Sequence, residues 1–201
     1  MIQLENSHTQ YVEKLAHKKK KLLKSLLGIF YKMRYKLPDW CLHNIYFAFV
    51  HPYILYGLEV YGNTYASYLN KLIILNNKRL RNLQKKGHAS CNESLYLQYN
   101  ILPAVQLFNY QLLSLVHKMV YSPHLLPCIF WYYFTPTSSI HRYESRYRKL
   151  YLTHVTTLFG QRILRFKCSH LWNILANDLT NNIASQCFCE KLKLLLICDP
   201  M

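Results

Sequence analysis

Acidic residues are scarce in this chain, which has nine Asp and Glu against 25 Lys and Arg in 201 residues. No two of these acids are adjacent, and no two lie three or four residues apart. Phosphoryl transfer on two metal ions needs carboxylates that hold both ions a few ångströms apart. The sequence offers no local carboxylate pair for that chemistry.

Glycine is scarce as well. The five glycines are not clustered, which excludes a glycine-rich phosphate loop. The chain also lacks a G-x-S-x-G elbow and a Cys/His pair with local support. A lone histidine such as His51 or His141 is more often structural than catalytic. We therefore expect no self-sufficient active site, and no enzyme activity from this chain on its own.

Metal motifs, export signals and long apolar runs are missing too. None of the seven cysteines forms a C-x-x-C pair, and Cys187-Phe188-Cys189 has the wrong spacing for a zinc knuckle, so we interpret them as reduced thiols. The polar N-terminus offers no signal peptide. The most apolar run, Ile45 to Tyr61, is too short and too interrupted to span a bilayer. We expect an intracellular protein of the nucleus or cytoplasm that is not secreted and has no membrane span.

Positive charge is abundant and is arranged in blocks. Residues 1–36 hold nine basic residues against two acids, residues 71–86 hold six against none, and residues 142–167 hold seven against one. Neutral, apolar stretches separate these blocks, and the formal net charge is +16. This pattern is typical of a folded basic protein rather than of a basic tail, and it favours a polyanionic partner.

Apolar spacing predicts three helices in the first part of the chain. The first runs over residues 8–35 and ends before Pro38. Asp39 is a candidate N-cap of the second, which Pro52 kinks or breaks. The third covers residues 69–86. Short links between helices that each have one apolar face predict a small bundle.

The third helix is predicted to have an apolar side and a basic side. Gly87 is expected to end it. At about 100° per residue, four basic residues cluster opposite one apolar arc, which consists of Leu69, Leu72, Ile73, Leu80 and Leu83. Those four are Lys71, Lys78, Arg81 and Lys85. Ile74 and Leu75 do not fit the division. The cationic side either faces water as an ordinary solvated surface or binds a polyanion.

The rest of the chain is predicted to be mostly helical. A helix starts at Pro103, the aromatic run Phe130–Phe134 favours a strand or an extended surface segment, and Gly160 marks a turn. Short helices follow from Trp172 and from Phe188. We place the domain boundary so that residues 1–88 form the bundle and residues 89–201 form a C-terminal helical region with a short extended segment. The fold class is mainly α.

Tyrosines alternate with arginines between residues 141 and 149. Such pairs combine phosphate contacts with base or sugar stacking on a nucleic-acid surface. A solvated loop explains the composition equally well. The basic residues of this candidate second patch are Arg142, Arg146 and Arg148.

Five motifs in register give the sequence a family resemblance. The runs His51-Pro52-Tyr53-Ile54-Leu55-Tyr56-Gly57 and Tyr61-Gly62-Asn63-Thr64, then Leu75-Asn76-Asn77-Lys78-Arg79-Leu80-Arg81, resemble the thumb of reverse transcriptases from non-LTR (LINE-type, jockey- or RTE-like) retrotransposons. Further along, Ile140-His141-Arg142-Tyr143-Glu144-Ser145-Arg146, Leu171-Trp172-Asn173-Ile174-Leu175, and Phe188 with Lys191-Leu192-Lys193 are similar to that family's later motifs. The chain departs from the family pattern at Tyr61, Asn76, Ser145 and Ala176, as a diverged copy would.

The resemblance implies a C-terminal fragment of an RNA-directed DNA polymerase, consisting of the thumb and the region after it. It implies an RNA/DNA template–primer duplex as partner, together with a palm-bearing reverse-transcriptase chain that supplies the catalytic carboxylates. The full-length family enzyme needs Mg²⁺, whereas this segment is expected to need no cofactor. The predicted phosphate contacts are Lys71, Lys78, Arg81 and Lys85, with Arg142, Arg146 and Arg148 as the second patch.

Two other readings stay open at this point. The basic helix over residues 14–32 has an apolar side with Leu, Ile and Phe, so it could lie on an anionic membrane surface. The reading frame could also be an inert transposon relic.

Overall fold

The computed structural model describes residues 17, 21, 24–58, 62–63, 66–86, 92–140, 149–181 and 184–198. The chain divides into two compact units, Met1–Val105 and Gln106–Met201. Across the described ranges the regular structure is helical, and the β pairing there is one isolated antiparallel bridge between Pro136 and Leu150. The prediction of a mainly α fold is confirmed.

The described helices of the first unit are α1 over 24–33, α2 Asp39–Ile45, α3 His51–Leu55, α4 Ala66–Leu83 and α5 Asn92–Gln98. Helix α6, Ala104–Tyr121, begins at the end of the first unit and continues into the second. The later helices are α7 Leu158–Arg162, α8 Leu164–Ile174, α9 Asn177–Thr180 and α10 Ser185–Cys198. Single 3₁₀ turns occur at Pro123–Leu125, Cys128–Phe130 and Thr137–Ser139.

Pro52 does not break the second predicted helix. The backbone stays helical from Asp39 to Leu55 because a π-helical segment, Tyr46–Val50, connects α2 to α3. Pro52 lies in the first turn of α3, where a missing backbone N–H is tolerated. Asp39 is the first residue of α2 and not its cap, since Pro38 occupies the N-cap position.

Helix α4 ends earlier than Gly87, at Leu83. Lys85 takes the left-handed conformation with φ 56°, and the N–H of Lys86 donates to the carbonyl of Arg81 at 2.9 Å. This is the hydrogen-bond pattern of a Schellman C-cap, with a lysine at the position that usually holds glycine. The side chain of Lys85 therefore projects from a turn and not from the helix.

Helix α5 packs on α4, a helix that the sequence pattern did not predict. The side-chain amide of Gln84 donates to the carbonyl of Leu95 at 2.7 Å, and Leu95 and Tyr96 are buried. The division between the units thus comes after Val105, later than the predicted boundary at 88. The segment from 92 onward supplies part of the first core.

The core of the second unit forms around aromatic contacts between α6, α8 and α10. The ring of His117 stacks on Phe188 with centroids 4.2 Å apart, and Phe188 lies 5.9 Å from Trp172. All three side chains are buried. The last helix packs onto α6, and it begins at Ser185, before the predicted start at Phe188.

Asn173 fixes an extended segment to α8. Its side-chain amide donates to the carbonyl of Leu150 at 2.8 Å, and its oxygen accepts from the N–H of Leu150 at 2.9 Å. The amide thus mimics one rung of a β ladder. The Trp-Asn pair of the resemblance is structural here, since Trp172 fills the core and Asn173 holds the backbone beside it.

Three predictions for the second unit were wrong in detail. The run Phe130–Phe134 is not a strand, because its described backbone forms a 3₁₀ turn and bends. Gly160 lies inside α7, where a Cβ would come within 2.1 Å of the Val155 side chain, so close approach explains the glycine. Trp172 lies near the end of α8 and does not begin a helix.

Candidate nucleic-acid interface

Helix α4 presents one apolar side to the core and one basic side to solvent. Its buried residues include Leu69, Leu72, Leu80 and Leu83. Lys71, Ile74 and Lys78 are exposed on the opposite side, Ile74 by 64%. The structure shows where the two residues lie that did not fit the angular division. Ile74 lies on the exposed side among the cations, and Leu75 is half-buried.

Lys71 and Lys78 share one face of α4 because seven residues make nearly two full turns, about 10 Å along the axis. Arg81 follows on the edge of the same face and is half-buried. We call these three residues, together with Ile74, the α4 ridge. It is a short cationic surface on a helix whose other side is anchored in the core.

Lys85 is not part of the ridge. Its Nζ lies 2.9 Å from Oδ1 of Asp39 at the start of α2. The Lys85 side chain is 38% exposed and that of Asp39 79%, so solvent screens the pair and it contributes little to stability. It does place the end of α4 beside the turn between α1 and α2.

The second predicted patch lies outside the described residues, since Arg142, Arg146 and Arg148 fall between 140 and 149. Of the same basic block, Lys149 and Arg165 are exposed. Lys167 is half-buried with its Nζ 4.6 Å from the centre of the Phe108 ring, and burial lowers its pKa. The Lys167 side chain therefore packs against Phe108 in the core of its own unit.

Beneath the ridge, α4 carries a buried chain of hydrogen bonds. The hydroxyl of Tyr46 donates to Oδ1 of Asn76 at 3.1 Å, and Nδ2 of Asn76 donates to the hydroxyl of Tyr96 at 3.4 Å. Tyr96 in turn donates to Oδ1 of Asn77. All four side chains are buried. The two asparagines of the resemblance motif therefore join α4 to the π-helical segment and to α5.

Arg79 also points inward. Its side chain is 0% exposed, and none of its guanidinium nitrogens has a hydrogen-bond partner in the described part of the chain. Burial lowers the pKa of Arg79 to about 10, which the neighbouring Tyr46 opposes. It stays protonated at neutral pH and is inaccessible to a ligand. Only some of the cations in this basic block can therefore face a polyanion.

Replacing Tyr46 with Phe is expected to destabilise the protein by about 1–3 kcal/mol, because it leaves the buried Asn76 oxygen without its donor. Chemical denaturation followed by circular dichroism measures the change. Tyr35→Phe, at an exposed position, is the matched control and should change stability by less than about 0.5 kcal/mol. Equal stabilities of the two variants would contradict the buried network.

Sequence reasoning missed one arrangement in the first unit. The Arg34 guanidinium carbon lies 4.2 Å from the centre of the Tyr31 ring and 4.4 Å from that of Tyr35. Both rings are exposed. The Tyr-x-x-Arg-Tyr spacing at the end of a helix could have revealed it, because residues three apart are neighbours on a helix surface.

The described residues contain no group of three His, Cys, Asp or Glu side chains that could hold a metal ion. They do not fit the Mg²⁺ that the resemblance implies for the full-length enzyme. In the same residues, no helix combines the length and apolarity needed to cross a membrane. Cys41, Cys128, Cys168 and Cys189 are not in disulfides.

No model of a known protein family matches the chain, and neither the curated proteins nor the solved structures include a match.

Proposed function

We propose that this chain is a nucleic-acid-binding module, the thumb-containing C-terminal part of a non-LTR retrotransposon reverse transcriptase. It holds the template–primer duplex through the sugar–phosphate backbone, which gives affinity without sequence readout. The α4 ridge carries this proposal, because Lys71 and Lys78 are exposed on one face of a helix whose opposite face is buried.

The electrostatic surroundings of the ridge favour an anionic ligand. Residues 71–86, which include the ridge cations, hold six basic residues and no acid. The buried hydrogen bonds of Asn76 and Asn77 fix the rotation of α4 about its axis. The motif that carries the resemblance thus supports the proposal in a specific way, since its inward residues orient its outward cations.

The proposed module does not catalyse polymerisation by itself. The carboxylates of this chain are dispersed along the sequence, so the two-metal chemistry belongs to a palm-bearing reverse-transcriptase chain. The role of the present residues is to bind and orient the duplex.

The membrane alternative is less well supported. An interfacial helix must offer its apolar side to lipid, but in the described part of α1 Phe30 is buried, and Leu26 and Leu27 are half-buried. Ile29 is 50% exposed, but these three neighbouring apolar side chains are turned at least partly toward the protein.

Fluorescence anisotropy with a blunt RNA–DNA hybrid tests the proposed function. The full chain should bind hybrids of unrelated sequence with similar affinity. Each phosphate contact contributes about −0.9 to the slope of log affinity against log salt, so we expect a slope of about −2 to −3 for the three ridge cations. Absence of binding at low salt, as an inert relic would show, or affinity independent of salt would contradict the proposal.

A further inference from the structure

The turn between α1 and α2 exposes an aromatic and cationic surface. Tyr31 is 56% exposed, Tyr35 72% and Trp40 68%. The Arg34 guanidinium contacts both tyrosine rings, with its central carbon 4.2 Å and 4.4 Å from their centres. We call Tyr31, Arg34, Tyr35 and Trp40 the aromatic turn. Single exposed aromatic residues are common, whereas here three lie within ten residues of one another in the sequence, and two of them contact an arginine.

Backbone hydrogen bonds and a buried side chain fix the conformation of the aromatic turn. The N–H groups of Lys36 and Leu37 both donate to the carbonyl of Met33, at 3.0 and 3.1 Å. Phe30, one turn earlier, is buried. The rings are therefore presented on a fixed backbone, and their two side-chain torsions leave little conformational entropy to lose on binding.

The charge of this surface is positive. Lys32 and Lys36 are exposed beside the aromatic turn, and the sequence between Glu13 and Glu59 holds one acid, Asp39. That acid is paired with Lys85 at 2.9 Å. A ligand that fits must carry negative charge and flat groups that stack.

Single-stranded nucleic acid has both properties. Its phosphates pair with lysine and arginine, and every unpaired base offers a face to an aromatic side chain. In a duplex the base faces are already stacked on one another, so a duplex cannot use the rings in this way. The Asp39–Lys85 pair places this surface beside the end of α4, about one helical turn beyond Arg81.

We propose that the aromatic turn binds a single-stranded extension of the nucleic acid, with bases stacked on Tyr35 and Trp40 and phosphates bound by Lys32 and Lys36. This inference rests on the proposed function, in which the α4 ridge holds the adjoining duplex. The first unit then has two adjacent surfaces with different preferences, one for duplex and one for unpaired strand.

The test compares two fluorescent ligands with the full chain, a uridine-tract RNA and a blunt RNA–DNA hybrid of matched length. Tyr35→Ala/Trp40→Ala should weaken binding of the single strand about tenfold or more per lost stack, which corresponds to about 1.4 kcal/mol each. Affinity for the hybrid should stay within about twofold. Leu125→Ala/Tyr132→Ala, also exposed but in the second unit, is the matched control and should leave both affinities unchanged.

Tyr35→Phe/Trp40→Phe keeps the rings and should keep the affinity for the single strand, which separates stacking from folding defects. Single-strand RNA should also quench tryptophan fluorescence in the wild type and much less in Trp40→Phe, because Trp172 is buried and Trp131 lies in the second unit, outside the proposed surface. An alanine pair that binds the single strand as well as the wild type would overturn the inference.

The two ligands also distinguish failure of this inference from failure of the proposed function. A chain that binds the hybrid but not the single strand overturns the inference alone, whereas a chain that binds neither overturns both. Binding to phosphatidylserine vesicles that depends on Tyr35 and Trp40, without binding to RNA, would assign the surface to membranes and overturn the inference.

Discussion

Replacing Lys71 and Lys78 with Glu is expected to weaken binding of an RNA–DNA hybrid about 100-fold at 50 mM salt. Each phosphate contact raises the affinity about tenfold when the salt concentration falls from 1 M to 50 mM, and the variant loses two such contacts. The slope of log affinity against log salt should become shallower by about 2 for the same reason. Both side chains are exposed, so the fold should not change. Anisotropy titrations over a salt series measure both quantities.

The matched control is Lys118→Glu/Lys191→Glu, which makes the same change in net charge at exposed positions of the second unit. It should reduce affinity only a few-fold, through the long-range field of the protein. Equal losses in the two variants would show that net charge, and not the α4 ridge, determines binding.

Raising the pH above 10 is expected to unfold the first unit. Burial raises the pKa of Tyr46 well above its ordinary value of 10.0, and it raises the pKa of Tyr96 and Tyr99 to about 12. The three hydroxyls therefore stay protonated in the folded protein while they ionise in the unfolded chain. Their stabilising contribution is complete below pH 10 and is lost as the pH rises toward 12.

Arg79 acts in the opposite direction. Its pKa is lowered from 12.5 to about 10, so the cost of burying its charge is present at neutral pH and is relieved between those two values. Each group changes the free energy of unfolding by about 1.4 kcal/mol per pH unit. With one of the three tyrosines offset, the net loss is about 3 kcal/mol per pH unit between pH 10 and 12.

Urea denaturation at a series of pH values measures this loss, and absorbance at 295 nm counts the ionised tyrosines. Tyr99→Phe should reduce the pH dependence by about 1.4 kcal/mol per pH unit, whereas Tyr35→Phe, at an exposed position, should not change it. If all tyrosines ionised near pH 10 without loss of helical signal, the buried network would be refuted.

The sequence was sufficient to predict most helices and the orientation of α4, because apolar periodicity reports directly which side of a helix is buried. It placed Lys71 and Lys78 correctly opposite Leu72 and Leu80. It failed for α5, whose seven residues Asn92–Gln98 are too few for a clear period. That helix is stabilised by its contact with α4, a tertiary effect that local sequence does not express.

Other features that the sequence did not predict depend on backbone conformation and on contacts between residues far apart in the chain. The left-handed conformation of Lys85 is unusual for a residue with a side chain, so the sequence pointed to Gly87 as the stop. Its ion pair with Asp39 joins positions 46 residues apart. The π-helical segment before Pro52 likewise reflects packing of Tyr46 and Val50, both buried, and not a local propensity. The spacing of Tyr31, Arg34 and Tyr35 was enough to predict that the arginine stacks on the two rings. It was not predicted because residues 1–36 were considered only for their positive charge.

Lysine footprinting would locate the bound duplex on the surface of the protein. The chain is treated with an acetylating reagent with and without saturating RNA–DNA hybrid, and the modified lysines are identified by mass spectrometry. We expect the hybrid to protect Lys71 and Lys78, while Lys118 and Lys191 react as before. Unchanged acetylation of Lys71 and Lys78 in the bound protein would contradict this prediction.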